Sequence, residues 1–294
     1  SIIAFASRWG GGVPFSALDI GGLTVFVNYS RQFSRPINEL AQQVTNIMSA
    51  LAGAERVFNV MDETEEIDDG KKLVLDKVHG DVLVEGVTFG YNPDKTILKD
   101  VSVFAHPGQK IALVGSTGAG KTTITNLITR FYNINKGKIT IDGHQNLSMN
   151  GKNAMILRRY TIGYLFQNYG LIEDESVLWN LKLALEYKKI KREEKLKLIN
   201  KYLKQFELSD MLNKKVYQLS GGEQQRIAII KLILQGSQII LADEPTSGLD
   251  KENELIVMKL LKELNEKGIT IIMVTHNMNL YDCFSRVINV ENFR

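Results

Sequence analysis

The chain has a single cysteine, Cys283, in 294 residues. An internal disulfide is therefore impossible, and a lone thiol suits a reducing compartment. Four scattered histidines and that one cysteine offer no metal-ligand spacing, which argues against a structural zinc site. Excess charge of one sign is also lacking: 36 Lys and Arg stand against 33 Asp and Glu, a net charge of +3. That is too little to make nucleic acid the main partner. Basic residues do gather between positions 182 and 215, but Glu186, Glu193, Glu194, Glu207 and Asp210 are interleaved, as on a solvated helical face. Long apolar runs are absent too. Residues 1–30 are apolar and glycine-rich, yet Arg8 and Asp19 interrupt them. Their longest uncharged stretch, residues 20–30, falls short of the ~20 residues that a bilayer span needs. The start has neither the basic opening nor the cleavage site of a signal peptide.

What is present is an ordinary globular composition, 44% hydrophobic and 23% charged, in a length that suits one large domain or two modest ones. Residues 23–61 follow helical periodicity, with Leu40, Val44, Ile47, Met48 and Leu51 at three- and four-residue spacing, and Pro36 marks a kink or turn. The acidic run from Asp62 through Asp69 to Gly70 ends that helix and opens a linker over residues 62–80. Strand signals follow at 82–89 and 97–104, with Tyr91-Asn92-Pro93-Asp94 as the turn between them. A short buried strand at 111–114 runs into a glycine-rich loop and a helix over 122–132. Strands at 138–141, 162–166, 239–242 and 269–274 alternate with helical stretches, the pattern of a parallel sheet flanked by helices. Residues 178–206 are helical without strand signals and read as a separate helical subdomain.

Gly115-Ser116-Thr117-Gly118-Ala119-Gly120-Lys121-Thr122 matches the phosphate-loop (Walker A) pattern of glycine, four residues, then Gly-Lys-Ser/Thr. Its glycines let successive backbone N–H groups turn inward around phosphate oxygens, and the following helix adds its positive end. The pattern assigns Lys121 to the β- and γ-phosphates and the Thr122 hydroxyl to Mg2+, with Thr123 beside them in the nucleotide site. Asp243 and Glu244 end the apolar strand Ile239-Ile240-Leu241-Ala242, where an acidic residue faces the ligand crevice of a parallel sheet. Asp243 there suits Mg2+, and Glu244 suits polarising an attacking water. Alone, the pair could equally cap the turn at Pro245. Leu219-Ser220-Gly221-Gly222-Glu223 precedes a helical stretch over 224–234, so its hydroxyl and glycine N–H groups form either a second anion site or an ordinary N-cap turn.

These stretches, with Gln167 in Phe166-Gln167-Asn168 and with His276, resemble in order and spacing the nucleotide-binding domain of an ATP-binding cassette (ABC) transporter. The resemblance implies an α/β fold of the P-loop NTPase class: a RecA-like core with a mixed sheet around the phosphate loop, an antiparallel β-subdomain near 81–105 and a helical subdomain near 168–225. Residues 81–294 would form this cassette, and residues 1–61 would be the remnant of a last transmembrane helix and its cytoplasmic extension. It further implies Mg2+-dependent hydrolysis of ATP in a head-to-tail homodimer, on the cytoplasmic face of the cell membrane and joined to a transmembrane transporter domain. Lys121, Thr122, Gln167, Asp243, Glu244 and His276 would act from one chain, and Ser220, Gly221 and Gly222 from the other. Gln167 would approach Mg2+ and the attacking water, and His276 the γ-phosphate. Asp250, in Ser247-Gly248-Leu249-Asp250, would bridge the dimer. Tyr91 stands where the family places an aromatic residue on adenine; a tyrosine packing the turn is the rival.

The two halves resemble different branches of that family. Residues 23–143 are similar to an exporter half-transporter, notably at Ala52-Gly53-Ala54-Glu55-Arg56-Val57-Phe58. From about residue 146 the chain is similar to stand-alone ATPase subunits of the lipoprotein-release and macrolide- or bacteriocin-export type, with Gly163-Tyr164-Leu165-Phe166-Gln167-Asn168 and Pro245 and Gly248 where exporters carry alanine. A junction near residues 146–153, as in a hybrid, is expected to leave ATP chemistry intact and to affect coupling to a membrane partner. Two other functions remain open: a soluble ABC ATPase acting on nucleic acid or ribosomes, and a nucleotide-binding module without turnover.

Overall fold

The computed structural model describes residues 20–62, 78–92 and 94–293. Most of the expected linker, residues 63–77, and Pro93 of the expected turn lie outside these. The chain divides into two compact units, residues 1–65 and 66–294.

In the first unit, α1 (Ile20–Met61) is one helix of 42 residues with Pro36 inside it. The helix runs through the proline instead of turning there. The missing N–H removes one bond of the ladder, while Ser34 Oγ donates to Ser30 O at 2.9 Å and Arg35 pairs with Glu39 at 3.1 Å on either side. Phe26, Tyr29, Phe33, Ile37, Leu40 and Val44 recur every three or four residues and are exposed. No helix among the described residues is long and apolar enough to cross a membrane.

Among the described residues the second unit holds two sheets. The first contains β1 (Val82–Phe89), β2 (Leu98–Ala105), β4 (Lys136–Ile141) and β5 (His144–Gln145), in the order β2-β1-β4-β5 and antiparallel throughout. The second contains β3 (Lys110–Val114), β6 (Ile162–Leu165), β7 (Ile239–Asp243), β8 (Thr270–Val274) and β9 (Arg286–Asn289), in the order β6-β7-β8-β3-β9. Among the described residues its pairings are all parallel, so the core sheet is not mixed. The strand expected at 138–141 also belongs elsewhere than the alternation suggested: it pairs antiparallel with β1. Its burial explains the difference. In β4 the buried Ile139 and Ile141 alternate with half-exposed Lys138 and Thr140, whereas β3, β7 and β8 are buried at every position. Strands covered on both faces belong to a helix-flanked parallel sheet, and one-faced strands to an antiparallel one.

Helices α2 (Lys121–Ile128), α3 (Lys152–Tyr160), α4 (Val177–Ala184), α5 (Arg192–Gln205), α6 (Gly221–Gln235) and α7 (Lys251–Glu266) surround these sheets. Helix α2 stops four residues before the expected end at 132, because Arg130 turns left-handed at φ 58°. Two cores result. One buries Ile111, Leu113, Ile124, Leu127, Ile239 and Leu241 between α2 and the sheets; the other gathers Leu181, Leu203, Ile227, Ile229, Ile240 and Leu261 under α4–α7. The helical subdomain expected from residues 178–206 is thus built as two helices, α4 and α5, against α6. Residues 146–153 connect the sheets and bind both sides: Asn146 Oδ1 accepts from Ile139 N at 2.8 Å and Met149 N donates to Asn133 Oδ1 at 3.0 Å upstream, while Met149 O accepts from Arg158 Nη2 at 3.3 Å downstream.

Candidate functional site

The register of the parallel sheet brings the site together. Leu113 and Asp243 both pair with Val274, and Leu165 pairs with Ala242, so the carboxyl ends of β3, β6, β7 and β8 form one edge. Ligands bind at that edge in open α/β sheets. Whatever follows those four strands converges there: the glycine loop after β3, Gln167 after β6, Glu244 after β7 and His276 after β8. A cleft of about 410 Å³ opens between them, lined by Thr117, Gly118, Gly120, Lys121, Thr122, Thr123, Gln167, Asp243, Glu244, Ser247 and His276, among others.

Gly120 caps α2 with φ 93°, and a Cβ there would lie 2.6 Å from Leu98 Cδ2, so only glycine fits this turn. No side chain caps the helix, which leaves its first N–H groups aimed at the cleft. Lys121 Nζ curls back to donate to Gly115 O at 2.8 Å and Ser116 O at 3.0 Å. From the far side, Glu291 Oε1 accepts from Ser116 N at 2.8 Å, and Ala119 N donates to Ser116 O at 3.0 Å. Gly115, Ser116 and Ala119 thus shape the loop behind the lining residues.

Asp243 is almost fully buried. Burial raises its carboxyl pKa above the ordinary range, while hydrogen bonds from the Thr122 and Tyr164 hydroxyls oppose that shift. Glu244 adopts the left-handed region at φ 50°, and its N donates to Val274 O at 3.0 Å. Its Oε2 lies 2.6 Å from His276 Nδ1, the shortest polar contact in the cleft. A non-glycine residue in this conformation costs about 1–3 kcal/mol and is held by its surroundings. The geometry presents a carboxylate and an imidazole together over the phosphate loop.

Tyr91 does not line the cleft. It stands half-exposed at the edge, packed edge-to-face on Phe89 and Tyr132 at 5.1 and 5.0 Å, with its hydroxyl 3.3 Å from Thr123 Oγ1. Ser220, Gly221, Gly222 and Asp250 stand apart from the cleft as well. Ser220 caps α6: its Oγ accepts from Glu223 N at 3.3 Å and donates to Glu223 Oε2 at 2.9 Å, and its N donates to that same oxygen at 2.8 Å. Those bonds hold the Glu223 carboxyl below its ordinary pKa. Gly222 abuts the Asn253 side chain, leaving no room for a Cβ. Asn253 donates to both Asp250 carboxylate oxygens and accepts from Arg226 Nη1 at 3.0 Å, so the Ser-Gly-Gly turn and the Asp250 loop form one patch.

Four residues escaped the sequence reading. Tyr164 reaches Asp243, Glu291 anchors the loop, Asn253 joins Gly222 to Asp250, and Lys231 donates to Gly170 O at 2.8 Å behind Gln167. The alternation of β6 could have placed Tyr164 on the side of Asp243; the other three carry no local signal.

A sequence model of the ABC transporter family matches residues 98–247, just over half of the chain. An uncharacterized ABC transporter ATP-binding protein of Bacillus subtilis is 33% identical over 281 residues, which cover 94% of this chain and 46% of that protein. An ATP-dependent lipid A-core flippase of Yersinia pestis is 30% identical over 292 residues, 94% of this chain and 48% of the flippase. The chain spans about half the length of these relatives, and each alignment crosses residues 146–153. Among solved structures, a dimeric ATP-binding cassette in a post-hydrolysis state, bound to ADP and Pi, is 34% identical. It superposes with a TM-score of 0.65, covering 71% of this chain and 93% of that one. With its phosphate loop, strand-end acids and Ser-Gly-Gly turn in this arrangement, the chain belongs to the ABC transporter family and has the fold of its ATP-binding cassettes.

Proposed function

We propose that residues 81–294 bind Mg-ATP and hydrolyse it to ADP and phosphate in a head-to-tail dimer, driving transport by a membrane domain at the cytoplasmic face of the cell membrane. The observation that carries this reading is the 2.6 Å contact of Glu244 with His276 at the rim of a phosphate loop whose helix has no side-chain cap. The residues fit the cofactor: Thr122, Gln167 and Asp243, all lining the cleft, would supply the hard oxygen donors that Mg2+ requires. When bound, Mg2+ would neutralise charge on the β- and γ-phosphate oxygens.

The chain's own groups account for the rest. Lys121 exchanges its two loop carbonyls for phosphate oxygens. Glu244 orients the attacking water and accepts its proton as the water oxygen bonds to the γ-phosphorus and the bond to the ADP oxygen breaks. His276, on the open side of Glu244, holds that carboxylate and faces the γ-phosphate. Ser220 and Gly222 stand outside their own chain's cleft, which favours their service to a partner's nucleotide; the similar cassette bound to ADP and Pi is itself dimeric. Tyr91, at the cleft edge with its hydroxyl beside Thr123, would stack on adenine.

Phosphate release by the purified chain across a protein dilution series, with Mg2+ and with EDTA, tests this. The reading expects Mg2+-dependent turnover whose specific rate falls on dilution as dimers separate. ATP binding without turnover would favour a non-catalytic nucleotide module, and stimulation by nucleic acid or ribosomes would favour a soluble ATPase.

A further inference from the structure

Behind Asp243 sits a group that the reaction as described does not use. On β7, Ile239, Leu241 and Asp243 share one face, and on the neighbouring β6 the same face carries Ile162 and Tyr164. That face packs on α2. The Tyr164 hydroxyl lies 3.0 Å from Thr125 Oγ1 and 3.4 Å from Asp243 Oδ2. Thr125 Oγ1 also donates to Thr122 O at 2.9 Å. Proton accounting orients the set. The threonine proton serves Thr122 O or the phenol oxygen, which leaves the phenolic proton for the carboxylate, its charged and stronger acceptor. The ring is fixed independently, packed at a tilt of 31° on Phe166 with centroids 4.2 Å apart, and it lines a second groove with Phe131, Arg158 and Lys231.

We propose that Tyr164 is a positioning residue for the Mg2+ site: its hydroxyl, backed by Thr125, holds Asp243 toward Thr122 so that both oxygens face one cation. This rests on the ATPase reading above. Outer partners of metal-ligating carboxylates typically contribute about 10–100-fold in metal affinity or activity. Tyr164→Phe keeps the ring and its packing and removes only the hydroxyl.

The test is ATP binding followed with a fluorescent ATP analogue while Mg2+ is titrated, in parent, Tyr164→Phe and Thr125→Val, beside binding in EDTA. Thermal melting confirms that each variant is folded. The expected result is a half-saturating Mg2+ concentration raised about 10-fold or more in Tyr164→Phe, by less in Thr125→Val, and unchanged affinity in EDTA. Turnover of Tyr164→Phe should recover at high Mg2+, which a general loosening of the fold would not allow. An unshifted Mg2+ midpoint in Tyr164→Phe, or an equal loss with and without Mg2+, overturns the positioning role and leaves the ATPase reading standing. A parent that shows no Mg2+-dependent binding overturns both.

Discussion

Two inactive variants should restore each other. Lys121→Ala removes the ammonium that Gly115 O and Ser116 O hold at 2.8 and 3.0 Å over the phosphate loop. Ser220→Ala removes the cap of α6, at 3.3 Å from Glu223 N, and the hydroxyl proposed to serve the partner's nucleotide. The lost cap costs about 1 kcal/mol, too little to unfold a domain with two extensive cores. The lost donor to transition-state charge costs turnover on the order of 10²–10³-fold. Each variant alone should therefore be nearly inactive. In a head-to-tail dimer, however, Lys121 of one chain and Ser220 of the other share a site. A mixed dimer puts both lesions into one site and leaves the second intact. With random pairing of equal amounts, half the dimers are mixed and about one quarter of the parent's sites are whole. Phosphate release should rise from near zero to roughly that fraction on mixing. Subunit exchange is verified by energy transfer between differently labelled chains. If exchange occurs and turnover stays at the level of the single variants, the site lies within one chain and the head-to-tail arrangement is wrong.

Other residues give sharper local tests. Asp243 has a raised pKa from burial, so its ionised form costs the empty fold stability above that pKa. Asp243→Asn should raise the melting temperature of the nucleotide-free chain at pH 7, with the difference vanishing below the ordinary value of 3.8, while Mg-ATP binding weakens; a lower melting temperature at pH 7 would contradict the assignment. Gly222→Ala should displace Asn253 and so free Asp250 and Arg226. Its stability loss should shrink in an Asn253→Ala background, whereas equal losses in both backgrounds would show that the two positions are not coupled.

Much of this site was legible because it is written in strand ends. A glycine loop after one apolar strand, an acid pair after another and a histidine after a third converge once the strands are parallel and in register, and the alternation of helices and strands shows that they are parallel. Pairing partners were less legible. The strand signal at 138–141 is real, but only the one-faced burial of Ile139 and Ile141 places it against β1. Strand β9 left no signal, since Arg286-Val287-Ile288-Asn289 is short and half-exposed. Helix α2 was read too long because an apolar Phe131-Tyr132 pair follows the left-handed Arg130. Tyr164, Glu291 and Lys231 were missed for a common reason. Each acts on a partner 61 to 175 residues away, and such contacts exist only after folding. The resemblance of the two halves to different branches meets a connection at residues 146–153 whose hydrogen bonds reach both sides.

The most direct test of a hydrolytic, dimeric cassette is single-turnover ATP cleavage by Glu244→Gln beside the parent, with association state followed on the same samples. Gln keeps the size of the side chain and removes the carboxylate that touches His276 at 2.6 Å. The account predicts retained ATP binding, cleavage slowed by about 10²–10⁴-fold, and an ATP-bound dimer that persists where the parent's dissociates. Equal cleavage rates in the two proteins, or a variant that binds ATP and stays monomeric, would contradict it.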